Sequence, residues 1–247
     1  MKMLMGLIAG ILFMISMSAS AKNFVIGVES LDYYPLYLGR GSSYTGYARD
    51  LLDEFARASG HTFTYKPLPA KRLISHFLEG KLDFKYPDSI KWAPGIKKGH
   101  TLTYSDSTVE YIDGLMRLPA NKDLNMNSFT TLGTLRGFTP WVYMDSINKG
   151  KLKVYETNNM KALVSMTESK RVQAAYMNVT VARYYMRNKL KNPSLLTFQA
   201  DMPHARDHFS LSSIKYPKVI EEFNQFLKDN VAFVDKLKDK YQVRLEN

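Results

Sequence analysis

The 247-residue chain has no cysteine, which excludes a disulfide framework, a Cys-ligated metal, a thiol nucleophile and a lipid anchor on an N-terminal cysteine. Acidic residues are the scarcer charge, 23 against 34 Lys and Arg, for a formal net charge of +11. That balance does not point to nucleic acid. Beyond the N-terminal segment no Lys/Arg block exceeds two residues, so the positive charge reads as scattered surface lysine. Phosphate loops are missing as well: there is no Walker A and no GxGxxG motif, and Gly133 and Gly137 are too sparse to cradle a pyrophosphate. The five histidines show no HExxH spacing, and there is no GxSxG elbow. His204 and His208 lie four apart, but Pro203 and the polar run around them predict a loop. No metal and no cofactor are expected, and nothing demands an enzyme.

Long apolar runs are confined to the N-terminus. Lys2 gives a positive start, Met3 to Met17 is apolar, and Ala19-Ser20-Ala21 is a small-x-small site before Lys22. The run falls short of the roughly 20 residues a spanning helix needs. Residues 1–21 therefore read as a signal peptide cleaved after Ala21, and no later segment is long and apolar enough to insert in a membrane. Export without an anchor favours the periplasm, where an outer membrane retains the product.

The whole chain is 45% hydrophobic, enough for one large domain or two small ones. Phe24, Val25, Ile26 and Val28 predict a strand over 23–28. Ala48, Leu51, Leu52, Phe55 and Ala58 form a helical stripe over 46–59, stopped by Gly60. A strand over 62–66, a helix over 71–79 stopped by Gly80, and a strand over 82–86 follow. This strand–helix alternation implies a parallel sheet with right-handed crossovers. It then recurs: strand 131–135, helix from Pro140 to about Ile147, strand 153–156, helix capped by Asn158, strand 172–177, helix 179–190. Two helical segments, one opened by Pro217, close the chain. Two tandem α/β units with no linker would face each other across a cleft.

Ligands of open α/β sheets bind beyond the carboxyl ends of the strands. The candidates are thus Glu29 to Tyr34, Lys71 and Arg72, Tyr86 to Trp92, Arg136 to Thr139, and Asn178. Tyr33 and Trp92 lie in polar turns, outside any stripe, and are expected to line the cleft with Tyr86, Asp88, Phe138 and Thr139. Lys71, Arg72, Lys85, Lys91 and Arg136 at strand ends or helix starts would favour an anionic ligand if they converged.

The order of motifs resembles family 3 of the bacterial extracellular solute-binding proteins, the polar amino-acid type. Phe24–Val28 with Tyr33-Tyr34-Pro35, Gly46–Leu52, Arg72–Asp83, Tyr104-Ser105-Asp106, Arg171–Ala175 and Ala182–Tyr185 are similar to that family's successive motifs. The resemblance implies an α/β fold of the type II periplasmic-binding-protein kind: two lobes joined by two hinge strands, with the ligand cleft between them. Lobe 1 would be discontinuous, residues 22–110 plus 206–247, and lobe 2 would be 111–205, with hinges near Glu110–Asp113 and Arg206–Phe209. It also implies a monomer that captures a small-molecule ligand and delivers it to an inner-membrane ABC permease. Two family anchors are changed here. No Arg occurs in Tyr86–Pro94 to clamp an α-carboxylate, and Asn178 stands where the family has an acid for the α-ammonium. Standard amino acids are therefore expected to bind poorly. The expected site is Tyr33 and Trp92 stacking, Arg72 and Arg136 pairing with charge, and Asn178 hydrogen-bonding, with the backbone at Arg136–Thr139 open to an anion. Other readings on the same fold are a dehydratase-like enzyme acting on a small carboxylate, with Glu29 or Asp88 as the acid, or a sensing partner of a membrane receptor.

Overall fold

The computed structural model describes residues 22–245. The signal-peptide reading of residues 1–21 lies outside the described residues.

The first half is built as the stripes predict. Strand β1 (Asn23–Glu29) pairs in parallel with β5 (Thr62–Leu68) on one side and with β6 (Phe84–Asp88) on the other. Helices α1 (Tyr47–Ser59) and α2 (Ala70–Leu78) make the crossovers. Between β1 and α1 the chain folds a small antiparallel sheet of β2 (Asp32–Tyr33), β3 (Tyr37–Arg40) and β4 (Ser43–Thr45). The expected strand over 82–86 begins instead at Phe84, because Asp83 turns to accept the Val25 N–H at 2.8 Å.

The second half repeats the plan. Strand β9 (Thr131–Leu135) pairs in parallel with β10 (Lys153–Thr157) and β11 (Ala174–Asn178). The stretch after Pro140 is a 3-10 turn followed by a short α4 (Met144–Asn148). Asn159, not Asn158, caps α5 (Met160–Glu168), its side chain accepting the Ala162 N–H at 2.9 Å. The helix after β11 is α6 (Val179–Tyr184), which widens into a π turn over Tyr185–Lys189.

Two long strands join the halves. Strand β8 (Val109–Arg117) lies beside β11, and β13 (Ala205–Ser213) lies beside β6. The two pair with each other, Ala205–Phe209 against Asp113–Val109. The predicted loop around His208 is therefore strand, since this ladder satisfies its backbone N–H and C=O groups. One sheet results, ordered β10-β9-β11-β8-β13-β6-β1-β5. Short strands β7 (Thr103–Tyr104) and β12 (Thr197–Phe198) add to β13 and β8, and α3 (Pro94–Lys97) lies in the loop after β6.

The closing helices α7 (Pro217–Asp229) and α8 (Val231–Tyr241) return to the first half. Phe55 of α1 meets Phe223 and Phe226 of α7 at ring distances of 4.9 and 5.5 Å. Aromatic burial of this kind dominates core energetics.

Gly46 opens α1 at φ 106°, a conformation L side chains rarely adopt, and a Cβ there would lie 2.9 Å from Tyr37 Cα. The next two N–H groups bond to the carbonyls of Pro35 and Leu36 at 3.0 Å, fixing α1 against the small sheet. Gly46→Ala should lower unfolding free energy by about 1–3 kcal/mol in urea denaturation, the cost of backbone strain; an unchanged midpoint would contradict this account.

Candidate ligand-binding site

The alternation of side chains along a strand places the site. On β8, Tyr111 and Asp113 share a face. Asp207 stands opposite Tyr111 on β13, and Asn178 stands opposite Asp113 on β11. One face of the joined sheet therefore carries Phe209, Asp207, Tyr111, Asp113, Asn178 and Tyr176 where the two halves meet.

Asn178 is fully buried. Its oxygen accepts the Val181 N–H at 3.1 Å, capping α6, and its amide donates to Asp113 at 3.2 Å. Burial pushes the Asp113 carboxyl up to about 7; the Asn178 amide opposes this, and Glu29 and Asp207 add to it. Glu29 ends β1 and receives the Tyr37 hydroxyl. Burial raises its pKa despite that bond and the nearby Lys85. Burial would also raise Asp207, but the Ser89 hydroxyl at 2.8 Å, the His208 N–H and Lys91 hold it below its usual value.

Aromatic rings close over these acids from both halves. Tyr33 lies 5.3 Å from Tyr37 and 6.2 Å from Phe138, and Phe138 lies 5.8 Å from Tyr176. The Tyr33 and Tyr176 hydroxyls are buried with no well-formed hydrogen bond, although the Asn178 backbone N–H faces that of Tyr33. On the other flank Trp92 donates to the Tyr111 hydroxyl at 3.0 Å, and Tyr111 packs on Phe209 at 4.7 Å.

The structure thus brings Tyr33, Phe138 and Asn178 together, with Thr139 half-buried next to Phe138 and Trp92 on the adjoining aromatic flank. It does not bring in the arginines. Arg72 is exposed on the first turn of α2, and Arg136 is 68% exposed with Glu156 at 3.9 Å. Tyr86 is a core residue whose hydroxyl meets Thr108 at 2.8 Å. Asp88 is fully buried and committed: it takes Lys85 at 2.9 Å, Lys97 at 2.8 Å, the Ser89 N–H at 2.9 Å and the Ser212 hydroxyl at 2.7 Å. Burial would raise its pKa, but the two lysines and Ser212 hold it down. Sequence reasoning did not select Asp113, Tyr111 or Tyr176 for the site. The available signal was a lone acid in the otherwise uncharged run Tyr111–Met116.

Among the described residues no group of His, Asp and Glu is placed to hold a metal ion, and no helix is long and apolar enough to cross a membrane. Surface hollows of about 570 and 380 Å³ lie elsewhere, one between α1 and α8 and one at the start of α7.

No protein-family model matches the chain, and no curated protein sequence does. Solved structures do. The GluR0 ligand-binding core in complex with L-glutamate superposes with a TM-score of 0.70 at 17% identity, covering 90% of this chain and 99% of that one. An arginine transport-system periplasmic binding protein from Legionella pneumophila gives 0.68 at 17%, covering 90% and 100%. An ancestral amino-acid-binding protein, a precursor of cyclohexadienyl dehydratase, gives 0.66 at 18%, covering 89% and 95%. The fold is the two-lobed type II periplasmic-binding-protein fold.

Two outcomes follow from the acids. Asp88→Asn leaves two ammonium groups buried without their charge partner and should cost about 3–5 kcal/mol in chemical denaturation; a loss under about 1 kcal/mol would mean the cluster is solvated. Asp113 has a folded pKa of about 7, above its ordinary 3.8. A raised acid stabilises the fold at low pH and loses that contribution as pH rises through the folded value. The melting temperature of the native protein should therefore fall more between about pH 5 and about pH 8 than that of Asp113→Asn. Parallel profiles would show that Asp113 titrates normally.

Proposed function

We propose that this chain is a divergent family 3 solute-binding protein, exported to the periplasm after cleavage at Ala21. It acts as a monomeric binding protein rather than an enzyme. Its lobes, residues 22–110 with 206–247 and residues 111–205, close on a small polar solute for delivery to an inner-membrane ABC permease. The resemblance of motifs, the fold and the binding functions of its structural neighbours support this reading.

The solute's charge is read from one observation: the carboxyls of Glu29 and Asp113 at the meeting face have no ion pair among the described residues, whereas Asp207 is met by Lys91 and His208 at 3.4 Å. Glu29, Asp113 and Asp207 lie there, while Lys85, the ammonium near Glu29, is committed to Asp88 and the Pro87 carbonyl at 2.7 Å. An anion was expected because Arg72 and Arg136 were expected to converge. With both at the surface, the acids favour a solute bearing a positive group. Such a group would also draw the Asp113 proton off near neutrality.

Calorimetry of the mature chain against panels of amines and of carboxylates and phosphate tests this. An amine-class solute should bind, Asp113→Asn should weaken it about ten- to a hundredfold, and Arg72→Ala and Arg136→Ala should leave affinity unchanged. Binding of a carboxylate or phosphate that Arg72→Ala or Arg136→Ala abolishes would overturn the reading.

A further inference from the structure

Resting on the cation reading above, we infer that the preferred solute carries its charge on a carbon-substituted nitrogen, a tertiary or quaternary ammonium, and carries an oxygen function beside it.

The first ground is how the carboxylates are used. Glu29 already takes the Tyr37 hydroxyl, Asp113 takes the Asn178 amide, and Asp207 takes the Ser89 hydroxyl with Lys91 at 3.4 Å. Their charge remains available across the cleft, but part of their accepting capacity is committed. A primary ammonium offers three donors that need converging acceptors, and a guanidinium offers five. A fully substituted nitrogen offers none and asks only for negative charge and soft, polarised contact.

The second ground is the wall. Phe138 bridges Tyr33 of one half and Tyr176 of the other, at 6.2 and 5.8 Å. Tyr111 continues the wall through Phe209 at 4.7 Å, and Phe209 reaches Tyr37 at 6.4 Å. Tyr33, Tyr111 and Tyr176 all lie near enough to Asp113 to feel its charge. Aromatic rings near a carboxylate offer quadrupoles that attract a cation with an apolar rim. The Trp92 ring already holds a cation, the Lys85 ammonium at 5.3 Å from its centroid.

The third ground is the pair of unspent hydroxyls. Tyr33 and Tyr176 are 2% and 1% exposed, and neither oxygen has a well-formed hydrogen bond. Buried polar groups left so are uncommon and costly. They come from opposite halves and flank the same Phe138 ring, where a hydroxyl or carboxylate on the solute would engage both.

Matched pairs that differ only in N-methylation decide the matter: choline against ethanolamine, and glycine betaine against glycine, with tetramethylammonium as the bare cation. Calorimetry on the native protein should show the methylated member of a pair binding at least about tenfold tighter. Tyr111→Leu should remove about tenfold or more of that affinity while Tyr111→Phe, which keeps the ring, retains most of it. Tyr176→Phe should weaken choline more than tetramethylammonium. If Tyr111→Leu does not fold, the native selectivity ratio and the two Phe variants still decide. Ethanolamine or glycine binding as tightly as its methylated counterpart overturns this inference and leaves the cation reading standing. No saturable binding of choline, betaine or tetramethylammonium up to about 10 mM also overturns it. If, in addition, only carboxylates or phosphate bind, the cation reading falls with it.

Discussion

The antiparallel ladder between β8 and β13 carries the chain from one half to the other and back, and the site depends on it. Five residues on each strand, Val109–Asp113 and Ala205–Phe209, pair in an unbroken register. A slip of one residue would turn every side chain to the opposite face. A slip of β13 would turn Asp207 and Phe209 away from the face that Tyr111 and Asp113 share with Asn178. Asp113 is held twice over, by its place opposite Ala205 and by its place opposite Asn178.

Around that ladder the molecule separates its charges by their partners. Asp88 is buried among two ammonium groups, a hydroxyl and a backbone N–H, so its charge is compensated where it stands. This cluster joins β6 to the 89–97 segment, which carries Ser89 to Asp207 and Trp92 to Tyr111, the two facing residues of the hinge ladder. Compensated charge thus positions the edge of the cleft. Asp113 and Glu29 are different: each receives a single neutral donor and no ion pair among the described residues, and burial raises both. A carboxyl that is costly to ionise alone becomes favourable to ionise beside a positive ligand. Under the proposed cation reading, the same burial that raises these pKa values would make the site selective for charge.

The surface position of the two arginines, expected to converge on the cleft, has a definite cause. Arg72 sits at a helix start and Arg136 just after a strand, positions from which a long side chain can reach either the cleft or the solvent. Leu73 and Phe77, the buried stripe of α2, set that helix's rotation and leave Arg72 outside. Arg136 follows the end of β9, where its N–H bonds to the Thr157 carbonyl at 2.8 Å and its side chain lies toward Glu156 on β10. Asp113 and Asp207, half-buried within the paired strands β8 and β13, are set in place by the ladder itself.

Local order was legible from the residues alone: the stripe Leu51-Leu52-Phe55, the glycine stops at 60 and 80, the short β-branched strands and their alternation with helices. These depend on neighbours three or four residues away, whose spacing is written directly in the chain. That Tyr33, Phe138 and Asn178 lie near one another was legible as well, because strand ends in such sheets gather on one side. The role of each charge was not. Whether Asp88 is a ligand or a buried anchor rests on Ser212, 124 residues distant, and the enclosure of Asp113 on Asn178, 65 residues distant. Sequence determined the elements and their order; tertiary structure alone decided which charges are compensated and which face the cleft, because compensation is made by long-range contacts that no local pattern encodes.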